Sequence, residues 1–268
     1  MSNIPIAKSY LRGIIHCHSQ YSYDSLTSIP AYLKVAQRQG LDFIILTDHD
    51  TTAGSRALKA AAALRLPHLQ VPIAAEYYTD EGDVIAAFID GDVGARKFAD
   101  FVTEVRERNG ALLLPHPYVG HPAPERIAAA CDLVEVFNCR TRESKNSRAY
   151  ELARSLGKHG YAGADAHFAR SICGAVVQVE NRGSLRSSIL DGSPSWQALR
   201  STSRWEFGAS QLIKAWKRRD AALALRMLRR AGEQVIGLAR NTRTTAKSSP
   251  DFDKRACTKA RKAPPSAD

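Results

Sequence analysis

Five short segments of the sequence carry side chains that commonly bind metal ions. They are His16-Cys17-His18-Ser19, Thr47-Asp48-His49-Asp50, Glu76, His116-Pro117 and Asp165-Ala166-His167. Side chains alternate faces along an extended strand, so His16 and His18 are expected to point to the same side. Asp165 and His167 repeat this spacing. Such pairs of nitrogen and oxygen donors, with no thiolate pair, favour Zn, Mn or Fe in an open site. The set predicts a hydrolytic enzyme with more than one metal ion.

Strand-length apolar runs alternate with helix-like stretches through most of the chain. We expect strands over 12–16, 42–47, 70–75, 84–89, 111–115, 133–138 and 161–165, with a further candidate at 175–179. We expect helices over 29–39, 52–64, 95–109, 126–130 and 143–158. This alternation predicts a parallel α/β sheet, either open or closed into a barrel.

The candidate ligands decide between an open sheet and a barrel. Each of them falls at or just beyond the carboxyl end of a predicted strand, from His16 after the first to His167 after the seventh. Side chains from so many strand ends can converge only if the strands surround a common axis. The sequence therefore predicts a barrel with its site at the carboxyl-terminal mouth.

The positive charge of the chain is concentrated near its carboxyl end. The 268 residues carry a net charge of +11, from 38 Lys and Arg against 27 Asp and Glu. Residues 214–268 hold 15 of the basic and 5 of the acidic residues, which leaves 23 and 22 for the rest. A nearly neutral body argues against a built-in groove for a long polyanion. The basic tail is expected either to attract nucleic acid or acidic lipid, or simply to be solvated.

The cysteines and the hydropathy of the sequence indicate the cellular compartment in which the protein is expected. The five cysteines are scattered and contain no Cys-x-x-Cys pair, which favours reduced thiols. We find no leader-like start and no apolar stretch long enough for a membrane span. We therefore expect a cytoplasmic protein.

The residues around the five segments resemble the polymerase and histidinol phosphatase (PHP) superfamily. The resemblance covers about residues 10–180 and includes Tyr21-Ser22-Tyr23-Asp24-Ser25, Gly40-Leu41-Asp42, Thr51, Val134-Glu135-Val136-Phe137-Asn138 and Gly163-Ala164. It implies a distorted (β/α)7 TIM-like barrel that holds two or three divalent metal ions and hydrolyses phosphate esters. The metal ions would activate a bridging water and clamp the phosphoryl oxygens.

The resemblance also implies a role for each ligand. His16 and His18 would bind one metal together with Asp165 and Glu76. Glu76 would bridge to a second metal, which His116 would complete. Asp24, His49 and His167 would hold another.

Several residues near these ligands have open roles. Asp83 stands in the run Gly82-Asp83-Val84-Ile85 where many relatives have a His, and it would orient water, bind a metal weakly or do neither. Asp48 is expected either to steady a ligand by hydrogen bonding or to act as a general acid. His121 is either a loop residue or an extra donor in the site. Arg140 and Arg142 are candidates for binding phosphate, with two solvated charges as the alternative.

We expect three regions and weigh three function classes. Residues 1–183 would form the barrel. Residues 184–239 would contain a loop or lid over 184–203 and a helix over 210–238 that packs on the barrel or on a partner. Residues 240–268 would form a disordered basic tail. The preferred function is a phosphomonoesterase acting on a small phosphorylated metabolite or nucleotide. The alternative is a nuclease that acts on short RNA or DNA ends. A regulatory module without catalysis is disfavoured because the ligand set is nearly complete.

Overall fold

A computed structural model of the chain describes residues 8–229. The chain divides into one compact unit that extends to Ala224 and a second that begins at Leu225. Within the described residues, no helix combines the length and the apolar character needed to cross a bilayer. The four cysteines of this region are free thiols.

The first unit contains nine strands and seven α-helices among its described residues. The strands are β1 (Tyr10–Ile15), β2 (Phe43–Ile45), β3 (Ala74–Thr79), β4 (Gly82–Ala87), β5 (Ala111–Leu114), β6 (Leu133–Asn138), β7 (His159–Gly163), β8 (Ala175–Glu180) and β9 (Ser195–Ala198). The helices are α1 (Ile29–Gln39), α2 (Ala53–Arg65), α3 (Phe98–Glu107), α4 (Pro124–Ala130), α5 (Glu143–Ser155), α6 (Leu185–Leu190) and α7 (Arg204–Lys217). A short 3-10 helix covers Ala169–Ser171.

The strands form two mixed sheets, in the orders β2-β1-β8-β9 and β3-β4-β5-β6-β7. The pairs β1–β2, β5–β6 and β6–β7 are parallel, as expected. The pairs β1–β8, β8–β9, β3–β4 and β4–β5 are antiparallel, so the prediction of a parallel sheet was wrong for these strands. Strands β3 and β4 are joined by a two-residue turn, which leaves no room for the helix that a parallel crossover needs.

The hydrogen-bonded ladders do not close into one ring, so the predicted TIM-like barrel is not confirmed. The two sheets nevertheless approach each other through isolated bridges between Cys17 and Ala166, between Phe43 and Gln70, and between His49 and Glu76. Three buried apolar clusters fill the interior between the strands and the helices. The α/β class is therefore established, and the bridges bring strand ends from both sheets together.

Helix α1 shows how local sequence fixes an element in this fold. A proline stands at its start, and Gly40 ends it with a φ of 59°, a left-handed conformation that glycine adopts without strain. The Gly40 N–H donates to the carbonyl of Ala36. Ile29, Tyr32 and Leu33 point into the core. The helix therefore matches the range predicted from the sequence.

Several predicted boundaries need correction. Glu76 lies inside β3 and not beyond its strand, because that strand begins and ends four residues later than predicted. The predicted loop over 184–203 contains α6 and β9.

The predicted helix over 210–238 begins earlier and is interrupted. Ser203 caps α7 by accepting from the Glu206 N–H, while the Glu206 carboxylate accepts from the Ser203 N–H. The helix ends at Lys217, and Arg219 has a φ of 53°. The Asp220 carboxylate then accepts from the Leu223 N–H, and residues 221–229 are helical again. The rest of the predicted helix and the basic tail lie outside the described residues.

Helix α7 is held against the strand-end loops at two points. At its start, buried Glu206 accepts hydrogen bonds from the hydroxyl of Ser171 and from Nε of Arg170 at 2.9 Å. At its end, Nζ of Lys217 donates to the carbonyls of Gln20, Ser22 and Ser25 at 2.6–2.8 Å. The helix therefore lies across the loop that carries Asp24.

We expect Glu206→Gln to destabilise the protein at neutral pH by about 2 kcal/mol, because the substitution weakens hydrogen bonds to a charged group. Burial alone would raise the pKa of Glu206, but the bonds from Ser171, Ser203 and Arg170 outweigh it and lower the pKa from 4.5 to about 2. The stabilisation is complete above pH 4.5 and is lost as the pH falls towards 2. Urea denaturation at neutral pH and at about pH 3 measures the difference.

Glu151→Gln provides the control for this prediction. Glu151 forms an exposed ion pair with Arg154, which is expected to contribute little to stability. An equal loss of stability in the two variants would contradict the anchoring role of Glu206.

Candidate metal centre

The structure brings all eight predicted metal ligands into one cluster. They form three overlapping groups, and in each group one donor atom per residue lies within 4.8 Å of the others. The groups are His18, Asp24, His49 and His167; His16, His18 and Asp165; and His16, Glu76 and His116. His16 and His18 each belong to two groups, so neighbouring ions would share this part of the chain.

Glu76 lies at the centre of the cluster. Its Oε2 is 3.4 Å from Nε2 of His16, 3.4 Å from Nε2 of His18 and 3.3 Å from Nδ1 of His49. Its Oε1 is 3.2 Å from Nε2 of His116. A single carboxylate thus faces four imidazoles, so both of its oxygens point at candidate ligands of the cluster.

Two aspartates complete the cluster on either side of His18. Oδ1 of Asp165 lies 3.8 Å from Nε2 of His16 and 3.5 Å from Nε2 of His18. Oδ2 of Asp24 lies 2.9 Å from Nε2 of His167 and 3.3 Å from Nε2 of His49. Each of the two aspartates therefore has one carboxylate oxygen close to the nitrogens of two imidazoles.

Unsatisfied buried atoms show that the residues suit metal ions. Nε2 of His16, both ring nitrogens of His18, both carboxylate oxygens of Glu76 and Nδ1 of His116 are buried without a hydrogen-bond partner. Buried polar atoms are almost always paired because desolvation without a partner is costly. Divalent ions would satisfy most of these atoms, and a set of imidazoles and carboxylates is suited to Zn, Mn or Fe.

The protonation of the cluster follows from burial and from the opposite charges within it. Burial, and then the neighbouring His167 and His49, lower the pKa of His18 to about 3. Burial also acts to lower the pKa of His49 and of His116. Glu76 together with Asp24 outweighs burial at His49, and Glu76 outweighs it at His116, so that each pKa is raised to about 9. Metal binding to His49 and His116 is therefore expected to release protons near neutral pH, whereas His18 is already neutral there.

The backbone at three ligands adopts a conformation that is uncommon outside glycine. The φ angle is 62° at His16, 28° at His116 and 44° at Asp165. His16 directly follows β1, and Asp165 comes two residues after β7. Their side chains therefore reach the site through a turn at the strand end, and not through the simple strand alternation that we predicted. Residues with positive φ are found where the surrounding structure holds the strain, often at functional sites.

Glu135 lies within the site, although its position in the sequence indicates no role there. Its Oε1 lies 2.8 Å from Nδ1 of His16, and its Oε2 accepts from the N–H of His116 at 2.6 Å. Asn138 donates to Oε2 of Glu135 at 2.9 Å and to Oδ2 of Asp165 at 3.2 Å. The pairing at Nδ1 leaves Nε2 of His16 directed at the cluster. A lone carboxylate within an apolar strand was the signal, because a buried charge requires partners.

Two glycines make room for buried carboxylates around the ligands. A Cβ on Gly163 would overlap the carboxylate of Glu135, and a Cβ on Gly54 would overlap that of Asp48. Gly163 ends β7 beside the site, and Gly54 lies in the first turn of α2. Small size at these two positions is therefore required by close approach.

Asp48 and Asp83 occupy different positions relative to the ligands. Asp48 is buried, and its oxygens accept from the N–H of Ser19 at 2.5 Å and from the Ser19 hydroxyl at 2.7 Å. Asp48 thereby holds the chain directly after His18. Asp83 is half-buried, and burial followed by the charge of Glu76 raises its pKa to about 6. Catalytic roles for both residues stay predictions.

His121 lies beside the cluster without joining a ligand group among the described residues. Its ring centre is 5.7 Å from that of His116, and its Nε2 lies 2.7 Å from the carbonyl oxygen of Asp83. This contact supports the view that His121 positions the segment that carries Asp83.

The two predicted phosphate-binding arginines differ in their surroundings. Nη1 of Arg140 lies 3.4 Å from Oδ1 of Asp165 and within 2.8 Å of both ring nitrogens of His167. Its Nη2 donates to the hydroxyl of Ser210 on α7 at 2.9 Å. Arg142 is exposed at the start of α5. The structure thus places Arg140 at the cluster, whereas Arg142 makes none of these contacts.

Comparison with known families agrees with this geometry. A family model described as the PHP domain matches residues 15–157, which is more than half of the chain. The chain belongs to the PHP domain family. A second model, described as PHP-associated, matches residues 143–193 of this PHP protein.

Individual relatives are distant. An uncharacterized protein of Methanocaldococcus jannaschii is 28% identical over 147 residues, which are 50% of this PHP protein and 85% of the relative. A two-domain protein of Bacteroides vulgatus, which contains a predicted PHP-like metal-dependent phosphoesterase, has a TM-score of 0.60 at 17% identity. The match covers 70% of this PHP protein and only 65% of the Bacteroides protein. PsfC from Pseudomonas syringae has a TM-score of 0.56 at 15% identity, with 79% and 99% covered. These two structures share the fold.

We expect Glu135→Gln to weaken metal binding by about 10- to 100-fold, because a neutral amide supports the His16 imidazole less well than a carboxylate. Gly163→Ala should act in the same direction by displacing the Glu135 side chain. Titration with a competing chelator measures the affinity of the purified variants for Mn or Zn.

Glu143→Gln, at an exposed position of α5, serves as the matched control. Unchanged affinity in both Glu135→Gln and Gly163→Ala would show that Glu135 does not support the metal ligands.

Proposed function

We propose that this PHP protein is a metal-dependent phosphomonoesterase that acts on a small phosphorylated metabolite or nucleotide. The observation that carries the proposal is the eight-residue cluster of imidazoles and carboxylates whose buried donor atoms lack partners. The family membership and the phosphoesterase named in the Bacteroides protein support it. We further propose two or three Mn, Zn or Fe ions and a distorted (β/α)7 barrel. The cytoplasmic location stays a prediction.

The residues of the cluster would divide the ions among them as the three groups indicate. Bound divalent ions supply an activated water and an electrophile for phosphoryl oxygens. His16, His18 and Asp165 would hold one ion, Glu76 and His116 a second, and Asp24, His49 and His167 another. Glu135 would keep Nε2 of His16 unprotonated and directed inward. The protein thus needs no nucleophilic side chain for hydrolysis.

The surroundings of Arg140 support a role in binding the phosphoryl group. Its guanidinium lies between the ligands Asp165 and His167 on one side and Ser210 on the other. Guanidinium groups bind two phosphoryl oxygens at once, which orients the ester as well as neutralising its charge. We propose that Arg140 orients the substrate, and we retain Arg142 as a weaker candidate.

We propose that Asp83 supplies a proton to the leaving group. It is half-buried beside Glu76, and its pKa of about 6 leaves part of the population protonated near neutral pH. Asp48, whose oxygens are occupied by Ser19, is better suited to holding the His18 loop than to moving a proton.

The nuclease alternative depends on the basic tail, which lies outside the described residues. A nuclease should prefer oligonucleotides to mononucleotides, and this preference should weaken as salt increases. A phosphomonoesterase should show little dependence on substrate length. A salt titration with both substrates separates the two functions.

We expect His18→Ala and Asp165→Asn to lower metal-stimulated hydrolysis of para-nitrophenyl phosphate by more than about 100-fold. Losing a residue that merely supports a ligand already costs about 10- to 100-fold in such sites, so losing a ligand should cost more. Circular dichroism checks that the fold is retained, and Lys59→Gln, an exposed substitution on α2, is the control. Wild-type turnover in folded variants that lack the ligand would refute the proposed function.

We expect Asp83→Asn to reduce hydrolysis of an alkyl phosphate by about 100-fold or more, and that of para-nitrophenyl phosphate much less. An alkoxide leaves only with a proton, whereas para-nitrophenolate leaves without one. Steady-state kinetics on both esters measures the ratio. Equal losses on the two substrates would exclude Asp83 as the proton donor and favour a role in holding the site together.

A further inference from the structure

Three cationic side chains lie near the cluster; one of them is in the last turn of α7 and another is on the residue that directly follows this helix. Besides Arg140, they are Lys214 and Arg218. Nζ of Lys214 lies 4.8 Å from the centre of the Tyr23 ring, and Cζ of Arg218 lies 3.7 Å from it. The Tyr23 ring also stacks on the ligand His49, with centres 4.5 Å apart and planes 7° from parallel. Lys214 and Arg218 therefore contact the same aromatic ring that stacks on the candidate ligand His49.

The contacts of Lys214 differ from those of Lys217, one turn further along α7. Lys217 donates to three loop carbonyls, so its role is structural. The ammonium of Lys214 is half-buried, and within residues 8–229 it has no carboxylate or carbonyl partner besides the Tyr23 ring. Burial, and then the charge of Arg218, lower its pKa, while Asp24 and Asp83 act to raise it. A partly desolvated ammonium without an acidic partner is suited to binding an anion.

Helix α7 lies outside the segments of the chain that match the family models. The helix covers Arg204–Lys217, beyond the segments 15–157 and 143–193 that match the family models. Ser210 of α7 accepts from Arg140, and the Phe207 ring lies 5.2 Å from the Arg140 guanidinium. One helix thus carries Lys214 and also fixes the arginine that faces the ligands.

We propose that Lys214 is a substrate-binding residue that, together with Arg140, holds the nonbridging oxygens of the phosphoryl group. Arg218 adds positive charge to the same side. The inference rests on the proposed phosphomonoesterase function and assigns α7 a part in its specificity. A phosphomonoester carries up to two negative charges and a phosphodiester one, so additional cations favour the monoester.

The test measures binding of inorganic phosphate to the metal-loaded protein by titration calorimetry. Lys214→Gln should raise the Kd for phosphate by about tenfold or more, because a hydrogen bond to a charged group is lost. Lys214→Arg should retain most of the affinity, and Lys59→Gln, which removes the same charge from α2, should leave it unchanged. Elemental analysis should find equal metal content in all four proteins.

Kinetics gives a second measurement that a purely structural role would not reproduce. In Lys214→Gln, kcat/KM for para-nitrophenyl phosphate should fall by about tenfold or more, and mainly through KM. The loss for the diester bis(para-nitrophenyl) phosphate should be smaller. If Lys214→Gln loses its cooperative unfolding transition, Lys214→Met keeps the aliphatic stem and the same comparison applies.

Equal phosphate affinity in wild type and Lys214→Gln would overturn the inference while leaving the proposed hydrolysis intact. The other outcome is a wild-type protein that hydrolyses neither ester but binds phosphate in a way that depends on Lys214. That result would refute the proposed function, while the assignment of Lys214 to an anion-binding site would stand.

Discussion

The carboxylate of Glu76 lies fully buried among four imidazoles, and the rest of the first unit is arranged around that concentration of polar atoms. Burying charged groups is strongly unfavourable unless each finds a partner. Part of the compensation comes from the cluster itself, since the opposite charges lower the pKa of Glu76 and raise that of His49 despite burial. The remaining buried nitrogens and oxygens without partners are what make the cluster suited to metal ions.

The same region joins the two sheets, so the site and the architecture are not separable. The isolated bridges between Cys17 and Ala166, and between His49 and Glu76, connect the two sheets at residues that are candidate ligands or their neighbours. The His18 N–H donates to the Ala166 carbonyl beside the first of these bridges. Displacement of one ligand loop would therefore disturb the contacts between the two sheets as well as the positions of the donor atoms.

The sequence predicted the ligands better than the strand directions, and the reason is physical. His and carboxylate residues next to apolar runs mark candidate donor atoms directly, and the resemblance to the PHP superfamily adds Asp24, so the sequence names all eight residues that the structure brings into one cluster. Strand direction depends on pairing between distant segments, and a short turn such as that between β3 and β4 was not recognised. Glu135 received no role because its partners, His16 and the N–H of His116, are far away in the sequence. The start of α7 depends on a capping pair, Ser203 and Glu206, that was overlooked.

Helix α7 couples the substrate side of the site to the ligand side. Lys217 fixes the loop that carries Asp24, and Tyr23 of that loop stacks on His49. The helix also holds Arg140 through Ser210. A shift of α7 would thus move the Arg140 guanidinium and the candidate ligands Asp24 and His49 together, because they share one set of contacts. Substrate recognition and metal geometry are consequently expected to change in concert, even though α7 lies outside the segment that defines the family.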